Sequence, residues 1–301
     1  MPRIRVRQVD AFTRTPHTGN PAGVVLDAKD LSDQQMQSIA REMNLSETAF
    51  ILPPNTPNAD MRIRWFTPKT EVPLCGHATI ASFHALAEEG MVGMKNEGDY
   101  RFDLETEGGI LPIDVKKNGS GISIMMGMKI PSFERVMQYK LDLVRILKVA
   151  FEDLEIRLSI MRSDYIFVGV RRLHTLFSMR PDLTAMENFL SARKIRGLCV
   201  YTAETVDRDS HVHSRFFAPH LGISEDPVTG ASHSSLAVLL HRNGLLEMRE
   251  NRCVFQGEQG DVLGRRGRVK VELVLENNKP ACVRIGGDAV TVLEGELLLP
   301  D

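Results

Sequence analysis

The feature that most constrains this chain is that it repeats itself. Arg64-Trp65-Phe66-Thr67-Pro68 is echoed by Arg215-Phe216-Phe217-Ala218-Pro219, and Glu71-Val72-Pro73-Leu74-Cys75-Gly76 by Glu225-Asp226-Pro227-Val228-Thr229-Gly230. The second pair lies at an offset of 225 − 71 = 154, close to half of the 301 residues, and Gly90 and Gly244 keep the same difference. A weaker third match sets Glu107-Gly108-Gly109-Ile110-Leu111 against Gln259-Gly260-Asp261-Val262-Leu263. An ordered match that combines aromatics, prolines and glycines implies a duplication. Two similar halves related by a pseudo-twofold follow, and a crevice between such halves is a natural binding place.

The local patterns say what each half contains. Arg3–Phe12, Thr48–Leu52 and Met61–Phe66 read as strands, and Thr15–Gly23 is rich in turn residues. Ser32-Asp33-Gln34-Gln35 is a capping box, and Met36, Ile39, Ala40 and Met43 follow at helical spacing, which predicts a helix over Asp33–Met43. A largely apolar helix starts after Cys75-Gly76 and ends at Gly90, and a second runs over Ser232–Arg242 to Asn243-Gly244. One apolar helix per half among many short strands suggests a helix wrapped by a curled sheet. Lys140–Leu154 reads as an additional helix. Ala281–Leu299 alternates like a strand around a Gly286-Gly287-Asp288 turn, and the crossover between halves is expected near Lys116–Gly121.

Each repeat puts a glycine at a helix start, where unpaired N–H groups and the positive dipole end favour a carboxylate or phosphate. Gly76 and Gly230 either serve such an anion or only permit a tight turn. Cys75 is either a thiol activated by the helix start or an inert buried one. His77 is placed to donate a hydrogen bond or shuttle a proton, or else to act as a structural partner. Glu225-Asp226 are either helix caps or working acids. Glu47 opens a strand-like run, so the capping pattern Asn44-x-x-Glu47 has no helix to serve, and its carboxylate is either solvated or functional. His211-Val212-His213 could put two imidazoles on one strand face, but no third ligand lies nearby in sequence, and a solvated pair is expected.

Composition excludes other classes. Lys+Arg total 37 against Asp+Glu 39, so no basic excess exists to hold a nucleic acid. Hydrophobic residues at 43% and charged residues at 25% suit a globular protein with real cores. Four scattered cysteines form neither a disulfide framework nor a zinc spacing and fit a reducing, cytoplasmic setting. No stretch approaches the ~18 apolar residues of a membrane span. No G-x-G-x-x-G, P-loop, H-E-x-x-H or paired C-x-x-C is present, which leaves acid–base chemistry without cofactor or metal.

Together these residues resemble the phenazine-biosynthesis PhzF-like family. The resemblance rests on Val9-Asp10-Ala11-Phe12, Gly19-Asn20-Pro21-Ala22-Gly23-Val24, Asn44-Leu45-Ser46-Glu47-Thr48, Ile63–Pro68, Glu71–Thr79 and Glu225–Gly230, with weaker matches at Gln256-Gly257, Gly264-Arg265 and Ile285-Gly286-Gly287. It implies an α+β, duplicated diaminopimelate-epimerase-like fold of two pseudo-symmetric domains, each a barrel-like sheet around a central helix. The domains would be residues 1–117 with 279–301, and 118–278. It also implies a cofactor-independent isomerase, typically a homodimer, acting on a small anionic carboxylate in the crevice between the domains.

Carried over residue by residue, Glu47 matches the catalytic acid/base, His77 a site histidine and Asp226 a site aspartate. Cys75, Gly76, Thr229, Gly230, Ala231, Ser232 and Asn20 are expected to meet the substrate. The family's namesake has a serine directly after the second glycine, where this chain has Ala231 with Ser232 one later, so the substrate need not be the namesake's. Superfamily epimerases use two facing thiols. Here Cys75 fits one place but the repeat puts Thr229 at the other, which counts against a one-thiol epimerase; an epimerase- or dehydratase-like enzyme with Cys75 as base, the dehydratase-like one foremost, is the alternative. A non-catalytic acid-binding protein of the same fold is another. Loops around Pro53–Asp60 and Gly127–Val136 would set specificity.

Overall fold

A computed structural model describes residues 3–155, 158 and 160–299. The chain divides into two compact units, Met1–Met128 with Arg284–Asp301, and Lys129–Val283. Among the described residues no helix is long and apolar enough to cross a membrane.

The first unit contains β1 (Arg3–Ala11), β2 (Asn20–Val25), α1 (Asp33–Met43), β3 (Thr48–Leu52), β4 (Met61–Phe66), β5 (Glu71–Val72), α2 (Gly76–Glu88), β6 (Gly98–Thr106), β7 (Gly109–Asn118) and β8 (Gly121–Met128). The terminal strand, Lys279–Leu298, contributes its part from Arg284 onward. Pairing runs β1–β2 antiparallel, β2–β3 parallel, β3–β4 antiparallel, β4–β6 parallel, then β6–β7 and β7–β8 antiparallel. The terminal strand pairs with both β8 and β1, which closes an eight-stranded barrel. Every residue of α2 from His77 to Ala87 is buried, and the helix packs on β1, β2, β3, β7 and β8. A helix apolar on all sides needs such a covering.

α1 forms where the capping box predicts. Gln35 N–H donates to Ser32 Oγ, Ser32 N–H donates to Gln35 Oε1 at 2.9 Å, and Asn44 ends the helix in a left-handed conformation with φ 50°. That conformation is the local reason for Asn44. The apolar stripe Met36, Ile39, Ala40 packs on Val6, Val25, Phe50 and Phe66, where Phe50 and Phe66 meet edge-to-face at 5.5 Å.

The second unit holds β9 (Glu134–Arg135), α3 (Lys140–Leu147), β10 (Met161–Arg162), β11 (Tyr165–Gly169), α4 (Leu173–Ser178), α5 (Leu183–Ala192), β12 (Gly197–Thr202), β13 (Ser210–Ala218), β14 (Ile223–Asp226), α6 (Gly230–Arg242), β15 (Arg252–Gln259) and β16 (Gly267–Glu276). Its pairings repeat those of the first unit in order. β10–β11 is antiparallel, β11–β12 parallel across helices, β12–β13 antiparallel, β13–β15 parallel and β15–β16 antiparallel. The order of strand pairing therefore recurs between the two units, as the sequence motifs do.

Three expectations change. The segment near Lys116–Gly121 is the β7–β8 hairpin, with Asn118 opposite Gly121, and the division between units falls after Met128. Gly286-Gly287-Asp288 makes no turn: the terminal strand is continuous, and Gly286 passes so close to β8 that a Cβ would collide with the Ile124 carbonyl. The helix expected over Lys140–Leu154 stops at Leu147, because Lys148 turns left-handed at φ 53° and a separate short turn follows at Phe151–Asp153.

Candidate active site

Both repeat motifs begin with the same ion pair. Arg64 reaches Glu71 through two hydrogen bonds of 2.7 Å, and Arg215 reaches Glu225 through two of 2.8 Å. Such forked pairs fix orientation as well as supply energy. They clamp β4 to β5 and β13 to β14, the strand pairs from which the chain turns into α2 and α6. Glu225 is thereby a structural residue, and of the pair Glu225-Asp226 only Asp226 is left for chemistry.

The helix starts that follow are alike in backbone. Cys75 and Thr229 are the N-cap residues, both extended, and neither caps its helix with its side chain. Gly76 and Gly230 both have negative φ, so no backbone constraint demands glycine at either place. A Cβ on Gly76 would meet only Ile285 and Met126 side chains at 3.6 and 3.8 Å, an ordinary contact. At Gly76, then, neither φ nor crowding demands glycine, and its lack of a side chain leaves the first N–H groups of the helix open to close approach.

Around the first start, three expected residues come together. His77 lies one turn position into α2, Glu47 immediately precedes β3, and β3 lies beside β2. Gly23 permits that neighbour relation, because a Cβ there would strike the Thr48 side chain, and Gly23 N–H donates to the Glu47 carbonyl at 3.0 Å. His77 Nε2 lies 3.4 Å from Glu47 Oε2, and the two side chains are 8% and 12% exposed. His77 Nδ1 lies 3.4 Å from Cys75 Sγ. Burial pushes the His77 pKa down to about 4, partly opposed by a hydrogen bond to the Pro21 backbone. The imidazole is therefore neutral at neutral pH and does not lower the basicity of Glu47 as a cation would. One donor atom each from Glu47, Cys75 and His77 falls within 4.8 Å of the others, a cluster compact enough to hold one cation.

The second start carries a hydrogen-bond network instead. Thr229 Oγ1 donates to Asp226 Oδ2 at 2.5 Å, and Asp226 is 9% exposed. Gln259 Nε2 donates to the Asp226 carbonyl at 2.8 Å and to Thr229 Oγ1 at 3.1 Å, while its Oε1 accepts from Thr229 N–H at 3.1 Å. Gln259 was not expected in the site, although it opens the weak third repeat match. Ser232 is fully buried and donates to the Thr229 carbonyl at 2.9 Å, while Ala231 at the preceding position is partly exposed. Asn20 is fully buried at the start of β2, opposite Ala11.

The expected solvated pair His211 and His213 does not exist as such. His211 is exposed, but His213 is completely buried, its Nδ1 2.8 Å from Glu258 Oε2 and its ring edge-on to Phe177 at 5.0 Å. β13 is buried continuously from Val212 onward, which overrides the expected alternation. Glu258 is held down to about 2 despite its burial, by His213, the Val206 and Asp207 N–H groups and Arg268.

The first unit, a barrel of mixed strand pairing around a buried helix, has the fold of PhzF-family structures. Residues 9–295 match the family of phenazine biosynthesis-like proteins. An uncharacterized isomerase of Clostridium acetobutylicum is 37% identical, covering 99% of each chain. The trans-2,3-dihydro-3-hydroxyanthranilate isomerase of Pseudomonas chlororaphis is 30% identical, covering 97% of this chain and 98% of that one. The crystal structure of a PhzF-family protein from Bacillus anthracis matches with a TM-score of 0.88 at 32% identity, covering 99% of this chain and 100% of that one. The chain belongs to the PhzF family of isomerases.

Proposed function

We propose that this chain is a cofactor-independent isomerase that moves a proton between two carbons of a small carboxylic acid, with Glu47 as the acid/base. The observation that carries this is the Glu47 carboxylate, little exposed and 3.4 Å from an imidazole that burial keeps neutral. A carboxylate so placed takes the proton of an acidic C–H bond. Its conjugate acid then returns the proton to a different carbon of the same substrate. His77 orients Glu47 or a polar substrate group, and the N–H groups at the start of α2 hold the substrate carboxylate. Asp226, with Thr229 and Gly230, binds further polar groups, and Asn20, Ala231 and Ser232 belong to the same set on the family resemblance alone.

Ala231 offers no hydroxyl where the namesake has a serine, so a carboxylate other than the dihydro-hydroxyanthranilate is the proposed substrate. The chain is proposed to act as a homodimer, which sedimentation analysis tests. General acid–base catalysis supplies about 10²–10⁴-fold, and orientation of the substrate supplies the remainder.

The 3.4 Å contact of Cys75 Sγ with His77 Nδ1 favours one second reading, an epimerase- or dehydratase-like reaction with the thiol as base. The two are separated by incubating small carboxylates in deuterium oxide with wild type, Glu47→Gln and Cys75→Ala, and following the products by proton NMR. Isomerisation puts deuterium on a new carbon and is lost in Glu47→Gln. A thiol base puts deuterium on the original carbon, or expels a leaving group, and is lost in Cys75→Ala. A tightly held acid that shows no exchange with any protein would mark a binding protein.

A further inference from the structure

The cluster of Glu47, Cys75 and His77 has the chemistry and spacing of a metal site. His77 Nε2 lies 3.4 Å from Glu47 Oε2 and 3.9 Å from Cys75 Sγ, and all three donors fall within 4.8 Å of one another. A tetrahedral Zn²⁺ with bonds of about 2.3 Å to sulfur and about 2.0–2.1 Å to nitrogen or oxygen sets its ligand atoms roughly 3.3–3.6 Å apart. The Glu47–Nε2 pair already stands at that spacing, whereas the sulfur lies nearer Nδ1, at 3.4 Å, so a cation on Nε2 requires the Cys75 side chain to rotate toward it. Charge matches too, since one thiolate and one carboxylate neutralise a dication while the imidazole stays neutral.

We propose that Glu47, Cys75 and His77 form a capture site for a thiophilic divalent cation such as Zn²⁺, and that the bound cation shuts the reactive centre reversibly. On binding, the Cys75 thiol releases its proton to solvent and forms the sulfur–zinc bond, with no change in oxidation state. The sulfur donor selects zinc, cobalt or cadmium over magnesium and calcium. Three protein ligands leave a fourth position for water. Blockage follows because the Glu47 lone pair that would accept a C–H proton is committed to the metal. This half of the proposal rests on the acid/base role of Glu47; the capture itself does not.

Reduced, chelator-washed full-length protein titrated with Co²⁺ tests the capture without any substrate. The expected result is a thiolate-to-cobalt charge-transfer band that saturates at one metal per chain, is displaced by Zn²⁺ and is untouched by Mg²⁺. Cys75→Ser abolishes the band with an unchanged circular dichroism spectrum, and Glu47→Gln weakens Co²⁺ affinity by more than about tenfold. Replacing the exposed Cys282 by Ser leaves the band intact. No band, or a band that survives Cys75→Ser and disappears in Cys282→Ser, overturns the proposal. If Glu47→Gln kills turnover and no band forms, the acid/base role stands and the capture site falls. If the band forms as described while Glu47→Gln turns over normally, the capture stands and the acid/base role falls.

Discussion

The two helix starts of this chain are built alike and equipped differently. Each follows an Arg–Glu clamp, each begins at a glycine that its backbone does not require, and neither is capped by its N-cap side chain. At the first, the N-cap is Cys75 and the groups gathered are Glu47 and His77, all able to accept or hold a proton. At the second, the N-cap is Thr229, bound into a net with Asp226 and Gln259 that arranges hydrogen bonds. The two starts share what makes the backbone turn and differ in their side chains. On this account, the first repeat transfers the proton and holds the substrate carboxylate, and the second recognises further polar groups.

The largest expected effect tests that division. Glu47→Gln should lower turnover by about 10²–10⁴-fold with little change in thermal unfolding, and Asp226→Asn should instead act chiefly on KM. The clamps come next, and here the two repeats should part in stability. Arg215 is almost fully buried and also donates to the Leu176 and Met179 carbonyls, so Arg215→Ala should cost about 3–5 kcal/mol in denaturant unfolding. Arg64 and Glu71 are more exposed, and Arg64→Ala should cost only about 1 kcal/mol.

Acid should reveal the buried histidines. Burial drives both His77 and His233 from 6.5 down to about 4, so the unfolded chain takes up protons first as pH falls. Stability should therefore decline between pH 6.5 and about 4, by up to about 3 kcal/mol for each histidine. Unfolding curves of wild type and His233→Gln across that range should converge at the acid end. The smallest effect is expected at the thiol: Cys75→Ser should change isomerisation by less than about tenfold, since a hydroxyl preserves the shape and Glu47 carries the proton.

Much of the fold can be read from the chain because local chemistry and tertiary packing agree there. The bounds Asp33–Met43 follow from the Ser32 box and the apolar spacing, and Thr48–Leu52 and Met61–Phe66 are strands as their composition indicates. Where a residue serves a distant neighbour, the local reading fails. Gly286 looks like a turn residue but is needed for close passage beside Ile124, and His213 looks exposed but meets Glu258 from 45 residues away. α5 also carries a local signal: Asp182 caps it, and Met186, Phe189 and Leu190 follow at helical spacing. The site is similar. Cys75 and His77 could be found from the repeat, whereas no local pattern separates Glu47 from a solvated glutamate. Its position depends on β2 lying beside β3, which Gly23 permits, and the family resemblance alone singles it out in the sequence.

The central claim is that the first repeat's carboxylate moves a proton from one carbon to another. Proton NMR in deuterium oxide, with a panel of small cyclic and amino-acid-like carboxylates, tests it most directly. The account predicts deuterium at a new carbon position with wild type and with Cys75→Ser, and none with Glu47→Gln. Deuterium returned to the original carbon with inversion, retained in Glu47→Gln and lost in Cys75→Ala, would contradict it.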